Sequence, residues 1–403
     1  MLHNRSRFLT LLGIATLLIL LAPFTASTRH AQAQTLVHSS AQVTVFATGL
    51  NNPRGLRFGP DGKLYVAVGG LGGTQSTTPA QCMQVPAPIG PYTGGFTSRI
   101  SKINAAGNRT TVIDQLPSSQ TSAGSGGLTS GVADIQFIDG ILYGMEAGAG
   151  CSHGLAGTNN TIFRVNADGT RTNIANLSAF VKTHPVTNPS LDDFEPDGTW
   201  YSMVEVHNVL YVTEPNHQEV DRVTRDGQIT RVIDLSTLFV PPSNWQGPTS
   251  MVYHNGNFYF GVLGTFPVRP RTQNIYKLTP GGHVSVVASG LTAVLGIAFD
   301  ARGRLYALET DTVAGFPGPS AANSGKVVRI NTDGTLTTIA SGLNFPSAMT
   351  FDPDGDSLYV SNNGFGVPVP GAGQIVRIHV DQGVCDSCDE RMEVSRLHPL
   401  GRK

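Results

Sequence analysis

Asp61-Gly62-Lys63-Leu64-Tyr65-Val66 is a tight-turn dipeptide followed by an apolar β-forming run, and the phrase returns five more times along the 403-residue chain. Its Leu-Tyr element reappears as Leu142-Tyr143-Gly144, Leu210-Tyr211-Val212, Phe258-Tyr259-Phe260, Leu305-Tyr306-Ala307 and Leu358-Tyr359-Val360. The turns ahead of these copies are Asp139-Gly140, His207-Asn208, Asn255-Gly256, Arg302-Gly303 and Asp354-Gly355. A β-rich run directly after Asp-Gly or Asn-Gly is the second strand of a hairpin. Six equivalent copies describe an array of like units.

Each unit holds more than its hairpin. A first strand precedes the turn, as in Gly55-Leu56-Arg57-Phe58, Ala133-Asp134-Ile135-Gln136-Phe137 and Ser347-Ala348-Met349-Thr350-Phe351. A third strand with a recurrent Arg or Lys follows, as in Ile100-Ser101-Lys102-Ile103 and Ile162-Phe163-Arg164-Val165. A second turn at Gly107, Asp168-Gly169 or Asp333-Gly334 leads to a fourth strand such as Thr111-Val112-Ile113 or Thr337-Thr338-Ile339. Four antiparallel strands repeated radially make a β-propeller blade. The repeat tyrosines are spaced by 78, 68, 48, 47 and 53 residues, room for four strands per unit and for inserted loops in the wider ones.

The sixth unit stops at Ile378-His379-Val380 without a fourth strand. Val43-Thr44-Val45-Phe46-Ala47-Thr48-Gly49-Leu50 supplies it, because it matches the fourth-strand phrases Val286-Val287-Ala288-Ser289-Gly290-Leu291 and Thr338-Ile339-Ala340-Ser341-Gly342-Leu343. The chain is therefore expected to be an all-β, six-bladed β-propeller over 43–380, closed by its N-terminal strand pairing in the last blade. Closure removes the edges that would otherwise invite aggregation. A four-stranded meander puts the short Gly turns on one face. The long segments 69–97, 148–159, 266–273, 310–324 and 364–372 then share the other, where loop-borne function is expected.

The ends read differently. Residues 1–33 form a signal peptide: basic His3, Arg5 and Arg7, an apolar run from Phe8 to Ala22, and a small-x-small site at Ala31-Gln32-Ala33. The mature chain is expected to be secreted or extracytoplasmic, with no transmembrane segment once the signal is cleaved; retention of the run as an N-terminal anchor is the alternative. Residues 381–403 are expected to be a polar, disordered tail. With 14% charged residues and a formal net charge of −1, the chain has no electrostatic footprint for nucleic acid. Four cysteines in an exported chain favour disulfides. Cys82 and Cys151 lie in neighbouring long loops and are the expected pair, out of three possible connectivities. Cys385 and Cys388 fall in the tail, as a local disulfide or free dithiol.

The position three after each repeat tyrosine is Val68, Glu146, Glu214, Val262, Glu309 and Asn362, where strands leave the sheet for the loop face. Near them stand Asp192, Asp193 and Glu195, with Asp134, His153 and His217. Glu146, His153, Asp193, Glu195, Glu214, His217 and Glu309 are the candidate ligand-binding set. Carboxylates with imidazoles at such a mouth can hold a divalent cation such as Ca or Zn, or act as general acids and bases. The plainer reading is that they cap loops by accepting backbone N–H bonds or simply face water. Asp352-Pro353-Asp354-Gly355-Asp356 resembles a calcium loop but is a hairpin turn, its glycine too early and its terminal Glu absent. Trp200-Tyr201 suits either ligand stacking or packing.

Four phrases resemble one family: Pro91-Tyr92-Thr93-Gly94-Gly95-Phe96-Thr97-Ser98-Arg99-Ile100, Gly148-Ala149-Gly150-Cys151-Ser152-His153-Gly154, Asp193-Phe194-Glu195-Pro196-Asp197-Gly198-Thr199-Trp200-Tyr201 and Glu214-Pro215-Asn216-His217. They look like the ScyD/ScyE family of exported bacterial propellers, over roughly 43–380. More loosely, the repeat is similar to NHL-type and gluconolactonase-like propellers. The family brings no catalytic residues. The gluconolactonase-like relatives imply a divalent metal at the channel mouth, held by Glu, Asn and Asp from separate blades. Glu146, Glu195, Glu214 and Asn362 lie in that region, although no individual ligand transfers. The expected role is an exported protein binding a small molecule or extracellular partner on its long-loop face. A metal-dependent lactonase-like hydrolase and a non-catalytic envelope scaffold are the alternatives.

Overall fold

The computed structural model describes residues 41–380 apart from 192–193, 242–243, 316–320 and 366–368. The signal segment and the Cys385/Cys388 tail lie outside the described residues. Six antiparallel sheets form the six blades of a propeller. Blade two shows the pattern: Val132–Ile138, Ile141–Glu146, Thr161–Val165 and Arg171–Asn176, each strand paired with the next. The ring closes as expected. Val43–Leu50 pairs antiparallel with Gly373–His379, with Val43 opposite Ile378 and Leu50 opposite Gly373.

The turns carry the chemistry their sequences promised. Asp139-Gly140, His207-Asn208 and Asn255-Gly256 each have two consecutive positive φ angles, the mirror-image turn that matches strand twist. His207-Asn208 adopts it without glycine, at φ 52° and 65°.

The repeated tyrosine has a packing reason. Six apolar clusters fill the six seams between neighbouring blades, and the repeat Tyr of each blade enters the seam with the next. There Tyr65 meets Phe137, Tyr259 meets Phe299, Tyr306 meets Phe351 and Tyr359 meets Phe58, edge to face at 5.0–5.2 Å between ring centroids. Each such pair adds about 0.5–1.5 kcal/mol beyond its buried area. Blade three carries Glu205 at the position of Phe137, opposite Leu210 as Phe137 is opposite Leu142. Tyr143 packs there with Met203 instead.

Two elements depart from the simple repeat. Blade one has a fifth strand, Thr129–Ser130, laid on the end of the long strand Arg109–Gln120. A helix, Leu177–Thr183, follows blade two's last strand, capped by Asn176 Oδ1 accepting the Ala179 N–H at 2.9 Å. Among the described residues no helix is long and apolar enough to cross a membrane. On the long-loop face, Cys82 and Cys151 form a disulfide with Cα atoms 6.2 Å apart.

Candidate functional site

The carboxylates three residues after the repeat tyrosines serve their own blades. Glu214 Oε1 accepts the Thr199 N–H at 2.7 Å, Glu309 Oε1 accepts that of Thr292 at 2.6 Å, and Asn362 Oδ1 accepts that of Asn344 at 2.8 Å. Each thus satisfies a backbone donor of the link entering its blade. Glu309 also pairs with Lys326 Nζ at 3.0 Å. Glu146 is fully buried, pairs with Arg171 and accepts Thr161 Oγ1–H at 3.1 Å. Glu146 and Glu309 each have a separate counter-ion and do not meet.

Glu195 is where three blades converge. Its Oε1 accepts Tyr92 O–H at 2.5 Å, from a blade-one loop. Its Oε2 lies 2.9 Å from His153 Nε2, from a blade-two loop. Its backbone carbonyl accepts His217 Nε2–H at 3.0 Å, from blade three. Tyr92 and His153 also pack edge to face at 4.8 Å, and Phe194 stacks on His217 at 5.2 Å. All four polar partners are buried. His153, Glu195, Glu214 and His217 are thus brought together, since His217 N–H also donates to Glu214 Oε2. Asp193 lies outside the described residues. Among the described residues no group of three or more His, Cys, Asp or Glu side chains is arranged to hold a metal ion.

Two further acids were not singled out by sequence. Glu219 sits opposite Glu214 and Asp221 opposite Val212, both fully buried on the same sheet face. Glu219 pairs with Arg231, while both oxygens of Asp221 are buried without a hydrogen-bond partner among the described residues. Burial pushes Glu214 up to about 8 against the N–H groups of Thr199 and His217. Burial likewise lifts Glu219 to about 7 against Arg231, and Asp221 well above the usual range, helped by the Glu219 charge.

All three bind protons more tightly when folded. For Glu214 and Glu219 the stabilising contribution is complete below the unfolded value of 4.5 and disappears as pH climbs through 7 to 8; that of Asp221 is complete below 3.8 and is likewise lost as pH rises. His217 acts oppositely: burial holds it below 6.5, so its effect favours folding as pH rises only up to that point. Above 6.5 the carboxylates dominate this group. Unfolding free energy should therefore fall by on the order of 2 kcal/mol between about pH 6.5 and about pH 9. Asp221→Asn should retain more of it at the alkaline end. Urea unfolding across that range checks this, and a flat or rising profile contradicts it.

Above the cluster, the long-loop face opens into a cleft of about 580 Å³. Pro86, Pro88 and Ile89 form one wall, and Trp245, Phe266 and Arg269 the other. The first wall is tethered at both ends, by the Cys82–Cys151 bridge and by Tyr92 on Glu195. Tyr201 and Thr249 form the floor and also line the narrow axial channel of about 50 Å³. The channel's outer ring takes one residue from the same position in each blade: Arg54, Ala133, Tyr201, Thr249, Leu295 and Ser347. Trp200, by contrast, is buried in the blade two–three seam. Trp245 and Phe266 escaped the sequence reading because the cleft is assembled from distant links, and Arg54 because the channel ring is assembled from all six blades. The one usable signal was that Trp245 is one of only two tryptophans and lies in a link between blades.

No protein-family model and no curated protein sequence matches the chain. Solved structures do. An aldose sugar dehydrogenase from Streptomyces coelicolor, solved with PQQ bound, is 15% identical over 84% of this chain and 98% of its own, with a TM-score of 0.50. A luciferin-regenerating enzyme is 10% identical over 85% of this chain and 96% of its own, also at 0.50. A candidate gluconolactonase is 13% identical over 85% and 92%, with a TM-score of 0.47. At these identities the likeness extends to the β-propeller fold alone.

Proposed function

We propose that this propeller is an exported binding protein that captures a small molecule in its loop-face cleft. The cleft itself carries the reading: a concave pocket that sets the aromatic Tyr201, Trp245 and Phe266 beside polar groups such as Asn216 and Arg269, on a rigid ring, suits a small-molecule site. Export is supported by the Cys82–Cys151 bridge, which suits an oxidising compartment, and by the leader-like N-terminus. The likeness of the loop phrases to the ScyD/ScyE family points the same way. The lactonase-like alternative needs three or more oxygen ligands converging on a cation. Glu146, Glu214 and Glu309 do not fit that group, because each is occupied within its own blade.

The test uses phenylnaphthylamine, a neutral aromatic dye that fluoresces in apolar sites. Saturable binding to the folded chain is expected. Phe266→Ala, at a half-buried cleft wall, should weaken it about fivefold or more while melting stays near that of the parent. Equal binding by the variant, or no saturable binding at all, rejects the cleft as the site.

A further inference from the structure

Among the described residues, the channel mouth at the foot of the cleft holds a cation without a counter-charge. Arg57, Arg171, Arg231 and Arg304 each face a carboxylate, Asp134, Glu146, Glu219 and Asp300. Arg54 has none among the described residues. Its guanidinium donates to the Thr129 carbonyl and lies over the Phe365 ring at 5.1 Å, with Tyr201 nearby. It is the only charged member of the six-residue outer ring. Asp134, the nearest acid of the channel lining, is taken by Arg57 at 3.7 Å and by the N–H groups of Ile135 and Met203.

Arg54 is half-buried, and the burial of its guanidinium costs hydration and lowers its pKa. Proteins normally offset that cost with an anion. Here the protein supplies a carbonyl and a ring face, and Arg54 lines a cavity that joins the cleft through Tyr201 and Thr249. At about 50 Å³ the channel has room for a small polar head rather than a ring.

We infer that the cleft takes ligands with an anionic head, a carboxylate or its sulfonate equivalent, which pairs with Arg54 while an apolar body rests among Tyr201, Trp245 and Phe266. The inference rests on the cleft being the binding site and adds the chemical class of what binds. Arg offers a planar fork of donors that suits a carboxylate better than a point charge does.

A matched pair of dyes separates this claim from the cleft itself. Anilinonaphthalene sulfonate is phenylnaphthylamine with one sulfonate added. Arg54→Met should weaken the sulfonate dye about tenfold or more and leave the neutral dye within about twofold. If both dyes weaken together, or neither does, Arg54 is only a structural brace and the anion site is rejected while the cleft stands. If neither dye binds the unaltered protein, the cleft reading falls and this inference with it. A second measurement needs no variant. In the unaltered chain, naphthoate should displace phenylnaphthylamine at about tenfold lower concentration than naphthalenemethanol, its uncharged counterpart. Equal displacement overturns the anion site.

Discussion

Asp134→Ala is expected to remove about 3 kcal/mol of unfolding free energy, more than any other single side-chain truncation at the axis. Asp134 lies on the first strand of blade two and is 3% exposed. Its Oδ2 accepts the Met203 N–H of blade three at 2.8 Å, its Oδ1 accepts the Ile135 N–H at 2.9 Å, and it faces Arg57 of blade one at 3.7 Å. One carboxylate thus ties three blades at the axis. The space it fills exists because blade one places Gly55 there: a Cβ on Gly55 would stand 2.0 Å from Asp134 Oδ1.

Burial raises the Asp134 pKa despite Arg57 and the two backbone donors, so the ionised group is not comfortable in place. The cost of truncation comes mostly from what is left behind, a guanidinium without its partner and two buried N–H groups without acceptors. An Arg57→Met, Asp134→Leu double variant removes both charges and should lose less than Asp134→Ala alone. Asp134→Asn keeps an acceptor and should fall between. Urea unfolding of the three variants decides. A loss under about 1 kcal/mol for Asp134→Ala would show that channel water satisfies the exposed groups.

The architecture was legible because the seams repeat. Every blade must bury one large side chain against the next, so Tyr65, Tyr143, Tyr211, Tyr259, Tyr306 and Tyr359 recur at one position. The closing strand was legible for the same reason, since Val43–Leu50 faces the same environment as the other fourth strands. The helix Leu177–Thr183 was not, because it lies in a link that no other blade shares. The position of Glu214, Glu309 and Asn362 could be read, but their task could not. A strand-end carboxylate can cap an N–H or hold an ion with the same spacing, and only the distances to Thr199 and Thr292 separate the two. The convergence of Tyr92, His153 and His217 on Glu195 depends on three loops from three blades, and no local pattern encodes it.

Replacing both Cys82 and Cys151 by serine is expected to cost about 4 kcal/mol. The bridge spans 69 residues, and closing a loop of that size in the unfolded chain removes entropy of that order. The double variant is the proper comparison, because a single change frees one thiol to pair with Cys385 or Cys388. Locally, the ring itself should survive. Gln75 and Gly94 exchange backbone hydrogen bonds at 2.9 and 2.8 Å, Tyr92 stays on Glu195, and Thr77 Oγ1–H donates to the Cys151 carbonyl at 2.6 Å. The loss should appear in the urea midpoint with the β-sheet spectrum unchanged, and addition of reductant to the parent should reproduce it. The wall Pro86–Ile89 lies between the bridge and Tyr92, so phenylnaphthylamine affinity should fall as well. A loss below about 1 kcal/mol would mean that the unfolded chain is already compact across this span, so that the bridge constrains little.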